Sequence, residues 1–412
     1  MIILVVNAGS SSLKYQVINM DGEVVLAKGT VGRIGLDKGY LKHSKGKTST
    51  KVEVEVPNHV VAIELVLKYL QDAEWGVIKD VKEIDAVGHR VLHGGKEFSG
   101  SVLVNEEVKA AIRRCIPLGP LHNPANLMGI EACEKVMPGK GQVAVFDTAF
   151  HQTMPRKAYM YGVPRMYEEK LGVRRYGFHG TSHRYVSQRV LEFTGEKAEG
   201  QKIIVCHLGN GSSLSAVVDG KCVDTSMGLT PLEGLLMGTR CGSCDPAVVQ
   251  FIANNPLDEH GNPTGGKMTV DEVLNLMNKK SGLEGISGLS SDMQIVDAAA
   301  NKGDEYALLA RDMLVYSIKK HIGMYAAAMG GVTKIVFTGG IGENNQVIRR
   351  QVMENMEYMG VKFDNEKNLA CKDGAAIECC ISADDSAVGV YVIPTNEELV
   401  IARDTKELAF KN

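Results

Sequence analysis

No apolar stretch in the 412-residue sequence approaches the roughly 20 residues that a membrane-spanning helix needs. The run Ile2 to Val6 is too short for the apolar core of a signal peptide, and no cationic segment precedes it. Residence in the cytoplasm, away from any membrane, is therefore expected. A basic excess is missing as well. Lysine and arginine number 46 against 49 aspartate and glutamate, a net charge of −3, which argues against a dedicated nucleic-acid binder. Two familiar phosphate signatures are absent: there is no GxxxxGK[ST] loop, and no dinucleotide fingerprint with its downstream acidic residue. Nine cysteines, an odd number scattered along the chain, do not make a disulfide framework. Cys241-Gly242-Ser243-Cys244 has redox-motif or zinc half-site spacing. No second Cys/His pair completes a metal site, so two reduced thiols in a loop is the plain reading.

What is present fits a soluble globular protein, with 44% hydrophobic and 23% charged residues, and a length that predicts two or three domains. Strand patterns open the chain at Ile2 to Val6, Leu13 to Asn19 and Glu23 to Lys28, the last two joined across Met20-Asp21-Gly22. Lys51 to Val56 alternates as a half-wet strand. Helical periodicity covers Val60 to Leu70 and Glu106 to Cys115, and Asn123-Pro124 reads as an N-cap and first-turn pair opening a helix to about Val136. Gln142 to Phe146 is a buried strand delivering Asp147, and Ile203 to Cys206 and Lys334 to Phe337 are two more. Between them Tyr306 to Met329 is a long helix stopped by Gly330-Gly331. Strands alternating with helices predict an α/β fold with mixed sheets.

An internal similarity stands out. Val5 to Leu13 resembles Val205 to Leu214: a buried strand, a small-residue turn, a second strand, then an Asp-Gly hairpin at Asp21-Gly22 or Asp219-Gly220. A separation of about 200 residues is far too long for a solenoid repeat and predicts two duplicated domains.

Small residues in a tight turn let backbone N–H groups approach phosphate, and hydroxyls and a lysine add donors. Asn7, Ser10, Ser12 and Lys14 fit that task, with the serines and lysine expected on one strand face. An ordinary hairpin with a solvated lysine is the alternative, weakened by the second copy at His207 to Gly211 and by a third glycine-rich turn at Gly339 to Asn344. Arginines and histidines flanked by glycine, at Gly88 to Gly95, Gly177 to His183 and Gly238 to Arg240, suggest close approach of an anion.

Those segments, with Asn396-Glu397-Glu398, occur in order along nearly the whole chain, and together they resemble the acetate kinase family of short-chain carboxylate kinases. The blocks Asn7 to Lys14 and Gly177 to His183 are the most specific. The resemblance implies two duplicated ribonuclease-H-like domains, as in actin, sugar kinases and heat-shock ATPases, around a nucleotide cleft. Residues 1–150 with about 386–412 would form the N-terminal domain, and 151–385 the nucleotide-binding one. It implies a homodimer that transfers the γ-phosphoryl of ATP to acetate in line and reversibly, giving acetyl phosphate and ADP, with Mg²⁺ or Mn²⁺.

By the same resemblance Arg90 and Arg240 bracket the acetate carboxylate and moving phosphoryl group, and His179 donates to its equatorial oxygens. Asp147 is the family's acid/base candidate. Acetate is already ionised at pH 7 and needs no general base, so orienting an arginine or a Mg²⁺-bound water is the expected role. Asn7 and Glu397 match the metal positions. His122 and His207 contact phosphate or shape the cleft, whereas His89, His93 and His183 are expected to be structural. The nucleotide set is Ser10, Ser12, Lys14, His207, Leu208, Gly209, Asn210, Gly211, Asp292, Met293, Gln294, Gly340, Ile341, Gly342, Glu343 and Asn344. Gln294 stands where the family commonly has arginine. The acyl pocket would be lined by Leu92, Leu121, Phe178 and Pro231. Leucine at 92, where many relatives carry valine, predicts a preference for acetate over longer acids. Alternatives are a propionate or butyrate kinase, a nucleotide-gated chaperone on the same fold, or a nucleotide binder without turnover.

Overall fold

The computed structural model describes residues 1–371 and 377–411. Its contacts divide the chain into two units: Met1–Gln152 with Phe178–Tyr185 and the segment from Asn396, and Thr153–Gly177 with Val186–Thr395. Two boundaries differ from those expected. The return to the first unit falls at Asn396 and not near residue 386, because Gly389–Val392 is a strand of the second sheet. Phe178–Tyr185 belongs to the first unit because Gly180 N donates to Asp147 O at 2.9 Å and His151 Nε2 lies 3.0 Å from Phe178 O.

In the first unit, strands β1 (Ile2–Ala8), β2 (Ser12–Asn19), β3 (Val24–Gly32), β4 (Tyr40–Lys45), β5 (Thr48–Glu53), β6 (Ile84–Val91), β7 (Val102–Leu103) and β8 (Gly141–Phe146) form one sheet, ordered β5-β4-β3-β2-β1-β6-β8-β7. β1 to β5 pair antiparallel, whereas β1, β6 and β8 run parallel. Successive side chains of β1 point to opposite faces. Leu4 and Val6 join Ile63, Val66 and Leu70 of the helix His59–Leu70 and Ala132 of the helix Asn123–Val136. Ile3 and Val5 meet Ile401 and Ala402 of the helix Glu397–Ala409 on the other side. Gly88 on β6 is what lets that last helix lie close, since a Cβ there would fall 2.6 Å from Ile401 Cγ2 and nearer still to Thr405 Oγ1.

Three local expectations need correction. β5 begins at Thr48 instead of Lys51, because the Gly46-Lys47 turn starts pairing at Lys45–Thr48, while Val56 leaves the ladder for the core. The cap of the 123–136 helix is His122; Asn123 is turned inward, accepting from His93 N at 3.1 Å and donating to His93 O at 3.0 Å. Ser10 lies in the turn, so only Ser12 and Lys14 share a face of β2.

The second unit repeats the plan. β9 (Lys202–Leu208), β10 (Ser212–Val218), β11 (Lys221–Thr225), β12 (Lys334–Thr338), β13 (Cys379–Cys380) and β14 (Gly389–Val392) are ordered β11-β10-β9-β12-β14-β13. β9 pairs antiparallel with β10 and parallel with β12, which pairs parallel with β14. This is the β3-β2-β1-β6-β8 series over again, and β1 and β9 share the same pattern of buried and half-buried residues. The Asp21-Gly22 and Asp219-Gly220 hairpins both use left-handed backbone, with φ of +88° at Gly22 and +77° at Gly220. The long helix, Glu305–Met329, is capped by Asp304, ends at Gly330 with φ +66°, and buries Ala310, Leu314, Ile318 and Ile322 against β9 and β10 residues. Among the described residues no helix is long and apolar enough to cross a membrane, and none of the nine cysteines is in a disulfide.

Candidate active site

In the first unit the turn after β1 is closed by Gly9 N donating to Ser12 O at 2.7 Å. Register sets Asn7 opposite Lys14, and the parallel neighbour β6 brings Arg90 alongside. Asn7, Lys14, Arg90, Glu397 and Glu398 line one small recess with Val5, Tyr15 and Ile401. Arg90 donates through Nη2 to Asp147 Oδ2 at 2.5 Å and through Nε to Oδ1 at 3.3 Å, and its Nη1 reaches Asn7 Oδ1 at 3.5 Å. Asp147 is buried and also accepts from Thr181 Oγ1 at 3.3 Å. Its two oxygens are therefore engaged in holding an arginine. Burial, then the charge of Asp147, pushes the Glu397 carboxyl well above the usual carboxylate range against the pull of Arg90 and Lys14.

His179 carries φ +57°, a left-handed backbone that costs a non-glycine residue energy. It is held there from both sides: His183 N donates to His179 O at 2.9 Å, and Gly180 must be glycine because a Cβ would collide with Asp147 O. Phe178, one residue earlier, is buried and packs edge-on against His93, with ring centroids 5.6 Å apart. Leu92 is buried too, its N–H held by Asn126 Oδ1 at 2.9 Å. Leu121 is 65% exposed, so it lines no closed pocket here; it follows a glycine-proline turn that carries it outward. His122 is half-buried at the helix cap. His89, His93 and His151 are buried, and burial holds each imidazole down to about 4.

The second unit holds the other set. After β9, the Gly209-Asn210-Gly211 turn is closed by Ser212 Oγ, which donates to Gly209 O at 2.9 Å. Gly209 and Asn210 line a cleft of about 740 Å³ with Ser291, Asp292, Met293, Gln294, Gly340, Ile341, Asn344 and Asn345. That volume is in the range of sites for drug-sized ligands. The expected turn at 339–344 is instead a short helix, Gly339–Asn344, with Thr338 as cap. Glu343 does not line the cleft: Oε1 accepts from Gly339 N at 2.9 Å and Thr395 N at 3.1 Å. Leu208 and Gly342 are buried behind it, and His207 and Gly211 are not among its lining residues. Asp292 caps the helix Met293–Ala300 through Gln294 N.

Arg240 and Pro231 also belong to the second unit. Arg240 is half-buried and its Nη1 donates to Pro231 O at 3.3 Å. Burial lowers its pKa, and no carboxylate among the described residues pairs with it. Gly238 N donates to Asn210 O at 3.0 Å, tying the cleft turn to the arginine's loop.

Sequence reasoning missed several residues that shape these sets. Asn126 donates to Ala8 O at 2.7 Å while holding Leu92 N, so it joins the phosphate-type turn to the apolar residue. Asn123 and Asn126, three apart on a helix opened by proline, are a signal that was available. His151 and Asn345 gave none, whereas Thr181 and Ser291 lay inside segments already singled out without being assigned a role themselves.

A duplicated ribonuclease-H-like fold, with an arginine–carboxylate recess in one unit and a glycine-lined cleft in the other, defines a phosphotransferase of the two-domain kinase class. The Acetokinase family model matches residues 2–403. A curated acetate kinase of Thermotoga maritima is 55% identical over 99% of each chain, and one of Caldicellulosiruptor bescii is 54% identical over 99% of this chain and all of that one. Among solved structures, Porphyromonas gingivalis acetate kinase superposes with a TM-score of 0.92 at 47% identity, covering 99% of both chains. A propionate kinase from Francisella tularensis gives 0.88 at 39%, again over 99% of each. The chain belongs to the acetokinase family.

Proposed function

We propose that the chain transfers the γ-phosphoryl of ATP to acetate, reversibly and in line, giving acetyl phosphate and ADP. The observation that carries this reading is the contrast between Arg90, satisfied by Asp147, and Arg240, half-buried with no acid partner among the described residues. A buried cation without a counter-ion is costly unless an anion arrives. Arg240 is therefore the group that receives the carboxylate and the moving phosphoryl, and Arg90, its plane fixed by Asp147, is the anion-binding guanidinium of the first unit. His179, strained into place, donates to the equatorial oxygens. Phosphoryl transfer asks mainly for such positioning and charge stabilisation. Asp147 serves as orienter of Arg90, since ionised acetate needs no base.

Asn7 and Glu397 are the residues that would hold Mg²⁺, with Mn²⁺ as substitute. The donor set fits: Asn7 and Glu397 line one recess, where the carboxylates Asp147, Glu397 and Glu398 outnumber the cations Arg90 and Lys14. Mg²⁺ commonly takes only one or two protein groups, and when bound it would neutralise charge on the phosphate oxygens. The nucleotide occupies the second-unit cleft, beside the strand and turn that carry His207 and Gly211; Ser10, Ser12 and Lys14 belong to the corresponding phosphate-type turn and strand of the first unit. Gly340, with open space where a Cβ would stand, allows close approach of the adenosine. Leu92 and Phe178, both buried in the first unit, are the apolar residues that make the enzyme prefer acetate to propionate. The propionate kinase relative makes the longer acid the second reading.

The enzyme works in the cytoplasm as a homodimer. The exposed apolar face of the Glu305–Met329 helix, with Tyr306 62%, Leu309 46% and Tyr316 66% exposed, supports that assembly. Hydroxylamine trapping of acyl phosphate with ATP, Mg²⁺ and a panel of short carboxylic acids tests the activity. Hydroxamate should form fastest with acetate; no hydroxamate with any acid would end the reading.

A further inference from the structure

We propose that Arg175, Glu233 and Tyr161 form a positioning device that aims the guanidinium of Arg240 without touching substrate. The proposal rests on the role of Arg240 given above. All four residues lie in the second unit.

The backbone of Arg240 and its head group are fixed by different partners. The backbone is pinned from the 277–283 region and its own turn: Cys241 N donates to Met277 O at 3.0 Å, Ser281 N to Thr239 O at 2.9 Å, and Met237 N to Arg240 O at 3.1 Å. The head depends on Pro231 O, with Met237 Sδ at 3.7 Å as its other neighbour. Pro231 in turn sits in a loop with no regular structure, so something else must fix its carbonyl.

Arg175 does this from one side. Its Nη1 donates to the carbonyls of Thr225, Ser226 and Met227 at 3.1, 3.0 and 3.1 Å, and its Nη2 donates to Glu233 Oε1 at 2.5 Å. Tyr161 closes the other side, donating its hydroxyl to Glu233 Oε2 at 2.5 Å while accepting from Leu229 N at 2.9 Å. Pro231 is thus bracketed by Leu229, held by Tyr161, and by Glu233, held by Arg175 and Tyr161. The fit leaves no slack, because a Cβ on Gly228 would strike Glu233 Oε2 and Tyr161 Oη. Both Glu233 oxygens are engaged, so the carboxylate is not a ligand site. Burial, then the bond to Glu233, pushes the Tyr161 phenol up, which keeps it a donor over the working pH range.

A head group displaced by about 1 Å can lose on the order of 10²-fold in rate. The experiment is a set of double-mutant cycles on kcat and on KM for acetate, with thermal midpoints recorded for each protein. Glu233→Gln should lower kcat on the order of 10²-fold in the native background. In an Arg240→Ala background the same change should cost less than about threefold, because a residue acting through Arg240 has nothing left to aim. Arg175→Ala should behave likewise, and Arg175→Lys, which keeps a cation for Glu233 and a carbonyl, should recover most of its loss. Equal losses in both backgrounds would overturn the proposal, since they would mark a general effect on the fold. If Glu233→Gln does not fold, Tyr161→Phe carries the same cycle, with a loss of roughly tenfold expected and the same non-additivity; no loss, or an additive one, counts against the idea. Near-normal kcat in Arg240→Ala alone would strike the role of Arg240 instead, so the two failures are distinguishable.

Discussion

Gly88→Ala adds one methyl group at the point where β6 meets the Glu397–Ala409 helix. The new Cβ would lie 2.6 Å from Ile401 Cγ2 and closer still to Thr405 Oγ1, against an ordinary contact distance near 3.5–4 Å. Both neighbours are β-branched and buried, so neither has a flexible end to swing aside. Thr405 Oγ1 is also bonded to Ile401 O at 2.7 Å, and rotating it would break that bond. The helix must therefore move by roughly 1 Å, an overpacking that costs about 1–3 kcal/mol. For a unit of this size that is a fall of several degrees in thermal midpoint. The same helix starts at Glu397, beside Arg90 and Asn7, so the shift also moves the carboxylate proposed for Mg²⁺. kcat should fall on the order of 10²-fold. Thr405→Ala in the Gly88→Ala protein should restore part of both losses by removing the nearer atom. Thermal scans and coupled kinase assays at saturating Mg²⁺ read the two effects. A Gly88→Ala enzyme with an unchanged midpoint and unchanged kcat would show that the helix is not held as closely as the geometry requires, and would refute the reasoning.

Removing a preorganised donor typically costs about 10²–10³-fold in turnover, so Arg240→Ala and His179→Ala should each lose at least a hundredfold in kcat. His179→Gly should lose as much activity while raising the thermal midpoint, since it relieves the left-handed strain at φ +57°. Leu92→Ala should bring kcat/KM for propionate closer to that for acetate by about 1–3 kcal/mol, and an unchanged ratio would remove Leu92 from the acyl site. His89, His93 and His151 predict acid sensitivity. Each has its folded value depressed to about 4 from 6.5, so the stabilisation is complete above pH 6.5 and is lost as the pH falls towards 4. At pH 5 the loss is about 2 kcal/mol for each. Urea unfolding of the native protein at pH 7 and pH 5, repeated with His89→Gln, should show a smaller pH effect in the variant.

Much of the first-unit site was legible because short-range pattern and chemistry agree there. Val5 to Lys14 reads as strand, turn and strand, and it folds as such, with β9 and β10 repeating it at His207 to Ser213. The duplication was visible in the same letters and reappears as the same strand order in both sheets. What the letters could not carry was direction. Glu343 lies in a glycine-rich segment that suggests nucleotide, yet its carboxylate turns back to satisfy the N–H groups of Gly339 and Thr395, because a helix beginning at Gly339 leaves donors unpaired. Asn123 looked like a cap and is instead spent on His93. Leu121 has the composition of a pocket residue and is exposed. For Glu343 and Asn123 the outcome depends on a partner distant in sequence, Thr395 and His93.

The two arginines make the same point about function. Arginine beside glycine suggests an anion site, and Gly88-His89-Arg90 and Gly238-Thr239-Arg240 do so equally. The fold then treats them differently. Arg90 meets a buried carboxylate in two-point geometry, which fixes its plane and offsets its charge. Among the described residues Arg240 is given only a carbonyl and a thioether, weak acceptors that fix its direction and do not offset its charge. A carbonyl can aim a guanidinium without satisfying it, so an arriving carboxylate or phosphoryl oxygen gains the full attraction of a prealigned cation. Had Arg240 an acid partner like that of Arg90, substrate would have to displace it and the gain would shrink. On the role proposed for Arg240, the missing acid partner would be part of the chemistry, with the carbonyl of Pro231 as its substitute.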